Sequence, residues 1–180
     1  IGRVWAWDLK SGAQIQAYDR QGYSAIYDLA LSKDGTFLAM AGSDELVRVV
    51  DLQSGQEVAQ LAPKDAAANF ALAFSPDGKT LATGGDDHKI HLWSTADWSE
   101  SSVLDGHDGT VRCLDYSPDG TLLASGGNDE MVQLWDTASG QRHRDLPGHE
   151  GVVTDLQFAP DGKTLTSTSR DRTALVWRVP

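Results

Sequence analysis

The sequence predicts an all-β fold made of repeated units, each about 42 residues long. Five equivalent positions near the ends of these units are separated by 43, 43, 42 and 42 residues: Trp7, Val50, Trp93, Trp135 and Trp177. Asp-Gly pairs that begin at positions 34, 77, 119 and 161 recur in phase with them, separated by 43, 42 and 42 residues. A fixed period of ~40–45 residues with several strands per unit is typical of the blades of a β-propeller.

The clearest unit contains residues 122–136, LLASGGNDEMVQLWD. Its two apolar segments, 122–125 and 131–136, predict a pair of strands. The residues from Gly126 to Asp129 predict a tight turn between them, because Gly and Asn tolerate positive φ. Similar segments recur at 81–94 and 165–178, with a weaker copy at 38–51 and a fragment at 4–8.

Taken in order, the chain shows one incomplete unit followed by four others. Residues 4–8 match a third strand and 14–18 an outer strand, so the chain enters its first unit half-way. The other predicted strands are 25–31, 37–41, 46–51 and 56–61; 69–74, 80–83, 89–94 and 101–104; 110–116, 122–125, 131–136 and 142–146; 152–158, 164–168 and 173–179. The units span 1–18, 24–61, 69–104, 110–146 and 152–180, and the last lacks an outer strand. No segment holds a 3.6-residue apolar period over three turns, so no helix is predicted.

Three short motifs stand at fixed places in the third complete unit: the pair Gly106-His107, the Ser-Pro-Asp-Gly turn at 117–120, and the ending Trp135-Asp136. Together they resemble the WD-repeat β-propeller family, and the resemblance covers essentially all 180 residues. It implies four-stranded antiparallel blades, of which about four are present. Since propellers of the family commonly have seven blades, we expect the chain to be the C-terminal portion of a longer one. The four units that follow the first, half-length one are called blades one to four below.

Composition restricts the classes of function. The chain carries 15 basic and 26 acidic residues, a net charge of −11, which disfavours nucleic-acid or anionic-membrane partners. No apolar run approaches the ~18 residues of a membrane helix and no secretory signal is visible, so a cytoplasmic location is expected, although the sequence begins without Met. The single cysteine, Cys113, falls in a predicted buried strand and is interpreted as a small core residue rather than a zinc ligand.

Two sets of Ser, His and Asp look catalytic at first sight. With a Trp each, they are His107, Ser125, Asp129 and Trp135 in blade three, and His149, Ser167, Asp171 and Trp177 in blade four. The family resemblance instead implies a structural tetrad, in which the Trp indole bonds to Ser or Thr, that hydroxyl to His, and His to the turn Asp. A catalyst does not need its triad in every repeat, whereas a stacked architecture needs its contacts repeated. We therefore predict no catalytic, cofactor-binding or metal-binding residue.

Blades one and two depart from this pattern. Blade two keeps Thr83, Asp87 and Trp93 but has Asp65 at the His position. Blade one keeps only Asp44, and the other three places are occupied by Gly22, Met40 and Val50. We expect these two blades to rely more on apolar packing and to be less stable.

Metal and phosphate sites are disfavoured elsewhere as well. Each Asp-Gly turn offers one carboxylate, which is too few for calcium. His88 and His91 fall in a strand region and should point to opposite faces, which is a poor arrangement for one metal ion. The pairs Gly84-Gly85 and Gly126-Gly127 lack the Lys and Ser/Thr of a phosphate loop.

The positions that vary along one rim are candidates for partner binding. The residues before the turn Asp are Ser43, Asp86, Asn128 and Arg170, and the second residues of the inner strands are Tyr27, Phe70, Arg112 and Thr154. The resemblance implies partner contacts there, and aromatic residues and Arg dominate binding hot spots. Ordinary solvent-exposed packing at strand ends is an equally good interpretation of the same positions.

Three hypotheses for function follow. The first is a non-catalytic protein–protein interaction scaffold, and the alternative is a C-terminal sensor or regulatory propeller of a larger signalling enzyme such as a kinase or NTPase. A hydrolase is disfavoured by the repetition of the Ser/His/Asp sets. Bare sheet edges also predict either self-association or cover by missing N-terminal blades.

Overall fold

The computed structural model describes residues 3–19, 25–64 and 68–179. Within these ranges the chain forms seventeen strands in five antiparallel sheets and no helix. The strands are β1 (Arg3–Trp7), β2 (Gln14–Asp19), β3 (Ile26–Leu31), β4 (Phe37–Gly42), β5 (Val47–Asp51), β6 (Glu57–Leu61), β7 (Asn69–Phe74), β8 (Thr80–Gly85), β9 (Lys89–Ser94), β10 (Glu100–Asp105), β11 (Val111–Tyr116), β12 (Leu122–Gly127), β13 (Val132–Asp136), β14 (Arg142–Leu146), β15 (Val153–Phe158), β16 (Thr164–Ser169) and β17 (Ala174–Arg178).

Each sheet is an antiparallel meander in chain order. β1 and β2 form a leading pair, β3–β6, β7–β10 and β11–β14 form blades one, two and three, and β15–β17 form a three-stranded blade four. The inner strand of each blade contacts the next one, β3 with β7, β7 with β11, and β11 with β15. Successive sheets standing side by side on their first strands are the arrangement of a propeller, so the predicted all-β class and blade architecture are confirmed.

The glycine pairs correct one sequence prediction. Gly126 and Gly127 belong to strand β12, and the positive φ of the following turn falls on Glu130, at 67°. Glycine is required at these two places by close approach, because a Cβ on Gly126 would meet Val153 Cγ1 at 2.6 Å and one on Gly127 would meet the Thr110 carbonyl oxygen. The predicted turn at Gly126–Asp129 is therefore displaced toward the C-terminus.

The equivalent turn in blade two corrects a second prediction. His88 lies outside strand β9, with φ of 67°, and its side chain is exposed. Only His91 lies in the strand, and it is buried. The two histidines therefore do not lie on opposite faces of one strand as predicted, because His88 belongs to the turn and His91 to the strand.

Apolar packing between consecutive blades forms the core. Blade one contributes Val47 and Val49 to a cluster with Leu81 and Trp93 of blade two. The same arrangement joins blade two to three and blade three to four: Ile90 with Leu114, Leu123 and Trp135, then Leu134 with Leu156, Phe158 and Leu165. Each blade therefore depends on its neighbour to bury a face, as repeat architectures require.

The outermost faces remain open. Leu29 and Leu31 in blade one are 44% and 63% exposed, and Val176 in blade four is 69% exposed. The residue equivalent to Val176 in blade three is Leu134, which is 1% exposed because blade four covers it.

Candidate functional site

In blade three the predicted tetrad forms one continuous hydrogen-bonded chain. The Trp135 indole N–H donates to Ser125 Oγ at 2.8 Å. His107 Nε2 lies 2.6 Å from the same oxygen and His107 Nδ1 lies 2.7 Å from Asp129 Oδ2. With a proton on Nδ1, the Ser125 hydroxyl donates to Nε2 and the imidazole donates to the carboxylate, so every member is satisfied. This series of hydrogen bonds joins the loop before β11 to the turn between β12 and β13.

Blade four repeats this geometry. The Trp177 indole donates to Ser167 Oγ at 2.9 Å, and His149 lies 2.7 Å from Ser167 Oγ and 2.9 Å from Asp171 Oδ2. The Thr173 hydroxyl adds a 2.7 Å hydrogen bond to Asp171 Oδ1. That bond is the main cause of the lowered pKa of Asp171, with further contributions from the Glu150 amide and His149. The carboxylate is therefore held in its ionised form.

Asp129 is the corresponding carboxylate of blade three. Burial acts to raise its pKa, but the hydrogen bonds from His107 and from the Met131 and Asp108 amides outweigh it and leave the pKa below the ordinary value. The Asp108 amide also donates to Asp129 Oδ2, at 3.1 Å. Asp129 thus bonds to both the side chain and the backbone of the preceding loop.

Blade two replaces the loop histidine with a residue of its own third strand. The Trp93 indole donates to Thr83 Oγ1 at 3.1 Å as the tetrad pattern predicts. Asp87, however, pairs with His91, whose Nε2 lies 2.6 Å from Asp87 Oδ2 and whose Nδ1 lies 2.5 Å from Glu100 Oε1. Asp65, the residue at the predicted His position, lies outside the described residues.

Blade one uses the same arrangement with an arginine. Arg48 Nη2 lies 3.5 Å from Asp44 Oδ2, and Arg48 Nη1 lies 3.2 Å from Glu57 Oε2. These three residues stand 43 positions before Asp87, His91 and Glu100. We call each set a carboxylate–cation–carboxylate triad. Gly22, the residue at the His position of blade one, lies outside the described residues.

The triads correct the expectation that blades one and two rely on apolar packing in place of the tetrad. In both blades the cation lies across the strands from the position that carries the hydroxyl in a tetrad. His91 pairs with Thr83 there in blade two, and Arg48 pairs with Met40 in blade one. In blades three and four this site is occupied by the uncharged Gln133 and Leu175. The cationic partner of the turn Asp therefore comes from the third strand in blades one and two. The signal was present in the sequence as spacings of 4 and 9 residues that recur at the blade period.

The predicted rim residues of the inner strands occupy β-bulges. The pairing register shifts between Ile26 and Asp28, and again at the equivalent place in the other three inner strands. The residues skipped by the pairing are Tyr27, Phe70, Arg112 and Thr154. A bulge residue is released from the alternation of its strand, and its side chain can be directed away from the sheet. All four blades thus place a side chain at the rim by the same local irregularity.

Three of these side chains stack across blade boundaries. The rings of Tyr27 and Phe70 lie 4.6 Å apart at 16°, and the Arg112 guanidinium carbon lies 4.1 Å from the centre of the Phe70 ring. Arg112 Nε donates to Asn128 Oδ1 at 3.0 Å. The stack is ordered Tyr27, Phe70, Arg112, and it connects blades one, two and three.

A groove of about 280 Å³ opens beside this stack. Its lining residues come from all four blades: Tyr27, Phe70, Arg112, Val152, Thr154 and Arg170. Five of the eight predicted rim residues therefore meet in one place, while Val152 had no sequence signal. Of the other three, Asn128 holds Arg112, Ser43 accepts a 3.0 Å hydrogen bond from the Ala25 amide, and Asp86 accepts one of 2.8 Å from the Thr110 hydroxyl.

The family profile described as "WD domain, G-beta repeat" matches residues 14–51, 69–94, 98–136 and 140–178. The chain belongs to the WD-repeat family. Repeats of this family generally serve as protein–protein interaction scaffolds and are generally non-catalytic. A comparison with curated proteins finds no match.

The two serines of the WD-repeat tetrads are closed to solvent. Ser125 is fully buried and Ser167 is 1% exposed. Each hydroxyl oxygen also accepts a hydrogen bond from an indole N–H, which engages one of its two lone pairs. The geometry of a Ser/His/Asp triad is present, but a substrate has no access to the serine.

Sequence reasoning missed a set of carboxylates on the inner strands. Asp28 Oδ2 in blade one accepts a 2.7 Å hydrogen bond from the Leu72 amide of blade two. Asp115 Oδ2 in blade three accepts one of 2.6 Å from the Phe158 amide of blade four. Each carboxylate therefore bonds to the backbone of the next blade. Burial raises the pKa of both groups, and the charge of Asp155 adds to the effect.

Other site chemistries find little support. The part of the chain that the structure describes contains no group of three or more His, Cys, Asp or Glu residues placed to hold a metal ion. Cys113 is buried, and burial raises the pKa of its thiol. Among the described residues, no helix is long and apolar enough to cross a membrane.

Proposed function

We propose that this WD-repeat chain is a non-catalytic scaffold that binds protein partners in the groove at the rim of blades one to four. The observation that carries the proposal is the convergence of Tyr27, Phe70, Arg112, Thr154 and Arg170 on one groove. Four bulges and one turn are needed to bring these side chains together. The packing of one blade on the next does not by itself require these bulges or this turn.

The chemistry of the groove supports a protein partner. Tyr and Arg are enriched among the residues that contribute most to binding at protein interfaces. The stacked rings and Asn128 hold Arg112 in place, so little side-chain entropy is lost when a partner binds. The net charge of −11 opposes nucleic acids and anionic membranes as partners.

The carboxylate-bonded histidines and buried serines fit a structural role within this proposal. They tie loops to turns in blades three and four, and the triads supply a comparable contact in blades one and two. The rim loops are then presented on a rigid support, which is the requirement for a specific binding surface.

Site-specific photo-crosslinking tests the proposal. A photoreactive amino acid at Thr154, which is exposed in the groove, should give discrete protein adducts in a lysate of the source cells. Excess unlabelled chain should suppress them, and excess Arg170→Gln chain should suppress them less. The same amino acid at Lys163, an exposed turn residue of the same blade, is the matched control. Identical adduct patterns at the two positions would contradict a binding role for the groove.

A second candidate is a sensor or regulatory propeller at the C-terminus of a larger signalling enzyme in the cytoplasm. The regular segment FSPDGK at 74–79 resembles bacterial members of the family, which are often appended in this way. The length of the intact gene product separates the two, since ~300 residues fits a lone propeller at about 42 residues per blade and a much longer chain fits the appended form.

A further inference from the structure

We propose that the groove recognises a protein segment carrying an anionic side chain next to a flat or apolar one. This inference rests on the proposed function and specifies the chemical class of its partner. The groove combines two arginines with an exposed aromatic ring.

The two arginines are the first reason. Two other arginines of the described chain pair with carboxylates, Arg48 with Asp44 and Glu57, and Arg142 with Asp145. No carboxylate of the described residues pairs with Arg112 or Arg170, although the chain carries 26 acidic residues. Arg144, Arg172 and Arg178 share this lack of an ion pair within the described chain, but Arg112 and Arg170 are the two that line one groove, where both guanidinium groups are available for an external anion.

The orientation of Arg112 is the second reason. Its Nε donates to Asn128, and its guanidinium lies over the Phe70 ring. Both contacts leave the two terminal nitrogens without a partner among the described residues. These nitrogens present the paired N–H groups that bind a carboxylate or phosphate through two parallel hydrogen bonds. Phe70 and Asn128 thus pre-organise Arg112 for such a ligand.

The aromatic end of the stack specifies the neighbour of the anion. The Tyr27 ring stacks on the Phe70 ring, and Tyr27 remains 47% exposed. Val152 adds an apolar surface in the same groove. A flat or branched apolar side chain would cover this surface while the adjacent anionic group meets the arginines. A basic segment would place its charge against two unpaired guanidinium groups, which is unfavourable.

A single anionic side chain is compatible with the overall acidity of the chain. Charges beyond about 8 Å are largely screened at physiological salt, so the local guanidinium groups dominate at the groove. A polyanion such as nucleic acid would instead extend over the acidic surface. The expected ligand therefore carries one or two negative charges.

The test uses the 180-residue chain and three peptides that carry fluorescein at the N-terminus in place of an acetyl cap: Gly-Glu-Phe-Glu-Gly-NH2, its Gln counterpart and its phosphoserine counterpart. We expect the Glu peptide to bind at least tenfold more tightly than the Gln peptide in fluorescence anisotropy, and to weaken as salt rises. A preference for the phosphoserine peptide would assign the anion as phosphate rather than carboxylate. Arg170→Gln, an exposed substitution, and Arg112→Lys should each lower affinity about tenfold. Arg144→Gln removes the same charge from the exposed outer strand β14 and should have no effect.

Selection from a random peptide library on the same chain separates failure of this inference from failure of the proposed function. Enriched peptides that combine an acid with an aromatic or branched residue, and that require Arg170, support the inference. Peptides that require the groove but carry no acid would overturn it and leave the proposed function intact. If no enriched peptide depends on any groove residue, both are overturned.

Discussion

Replacing His91 by leucine removes the cation that two carboxylates of blade two share. The Asp87 side chain is 7% exposed and, among the described residues, would keep the 3.2 Å hydrogen bond from the Lys89 amide. Glu100 is 35% exposed and can turn to solvent. Breaking a fully buried pair costs roughly 3–5 kcal/mol, so with one partner half-exposed we expect His91→Leu to lower the free energy of unfolding by about 2–4 kcal/mol.

The matched control is Gln133→Leu at the equivalent place in blade three. Gln133 is as buried as His91 but donates only one neutral hydrogen bond, of 2.9 Å, to the Gly106 carbonyl. Its loss should cost about 1 kcal/mol. Because a single transition is not assured in a repeat protein, hydrogen exchange of the β8 and β9 amides should be measured beside the thermal melt.

The pH dependence provides a second measurement. Burial acts to lower the pKa of His91, but the hydrogen bonds of Asp87 and Glu100 outweigh it and raise that pKa above 6.5. Stability supplied by a group with a raised pKa is complete at low pH and is lost as pH rises through the folded pKa. The difference between wild type and His91→Leu should therefore shrink on going from neutral to alkaline pH. A His91→Leu chain as stable as Gln133→Leu, with no such pH trend, would refute the role assigned to the triad.

The triad also changes the expectation for Asp65→His. The tetrad pattern alone predicts that this substitution stabilises blade two modestly. Since His91 already partners Asp87, we now expect Asp65→His to have little effect in the wild type and to restore part of the lost stability in the His91→Leu chain. Thermal melts of the two single variants and the double variant test this coupling.

Three further outcomes are expected. Trp135→Ala should lower stability by about 3–5 kcal/mol, through a cavity and loss of the hydrogen bond to Ser125, and an unchanged melting temperature would contradict the tetrad's structural role. A fluorophosphonate probe should label neither Ser125 nor Ser167 in the folded chain, and stoichiometric labelling at either serine would revive a hydrolase. The isolated 180-residue chain should self-associate through its open faces, and light scattering should show less association after Leu29→Ser and Leu31→Ser; a wild-type chain that stays monomeric would count against this.

Much of the architecture followed from the sequence by itself. The blade period, the antiparallel strands and the tetrads of blades three and four depend on residues at fixed spacings, and their contacts form within one repeat. Strands Asn69–Phe74, Lys89–Ser94 and Arg142–Leu146 were predicted to the residue for this reason. Local alternation and turn chemistry contain the necessary information.

Tertiary structure decided the features that depend on facing residues. Gly126 belongs to strand β12 because it pairs with Cys113 and Val132, and it is glycine because Val153 of the next blade leaves no space for a side chain. His91 pairs with Asp87 because the strand register places the imidazole beside the carboxylate, and the sequence does not show that register. The rim positions were predicted one by one, but the stack of Tyr27, Phe70 and Arg112 exists only because adjacent blades approach closely enough for their bulged side chains to touch.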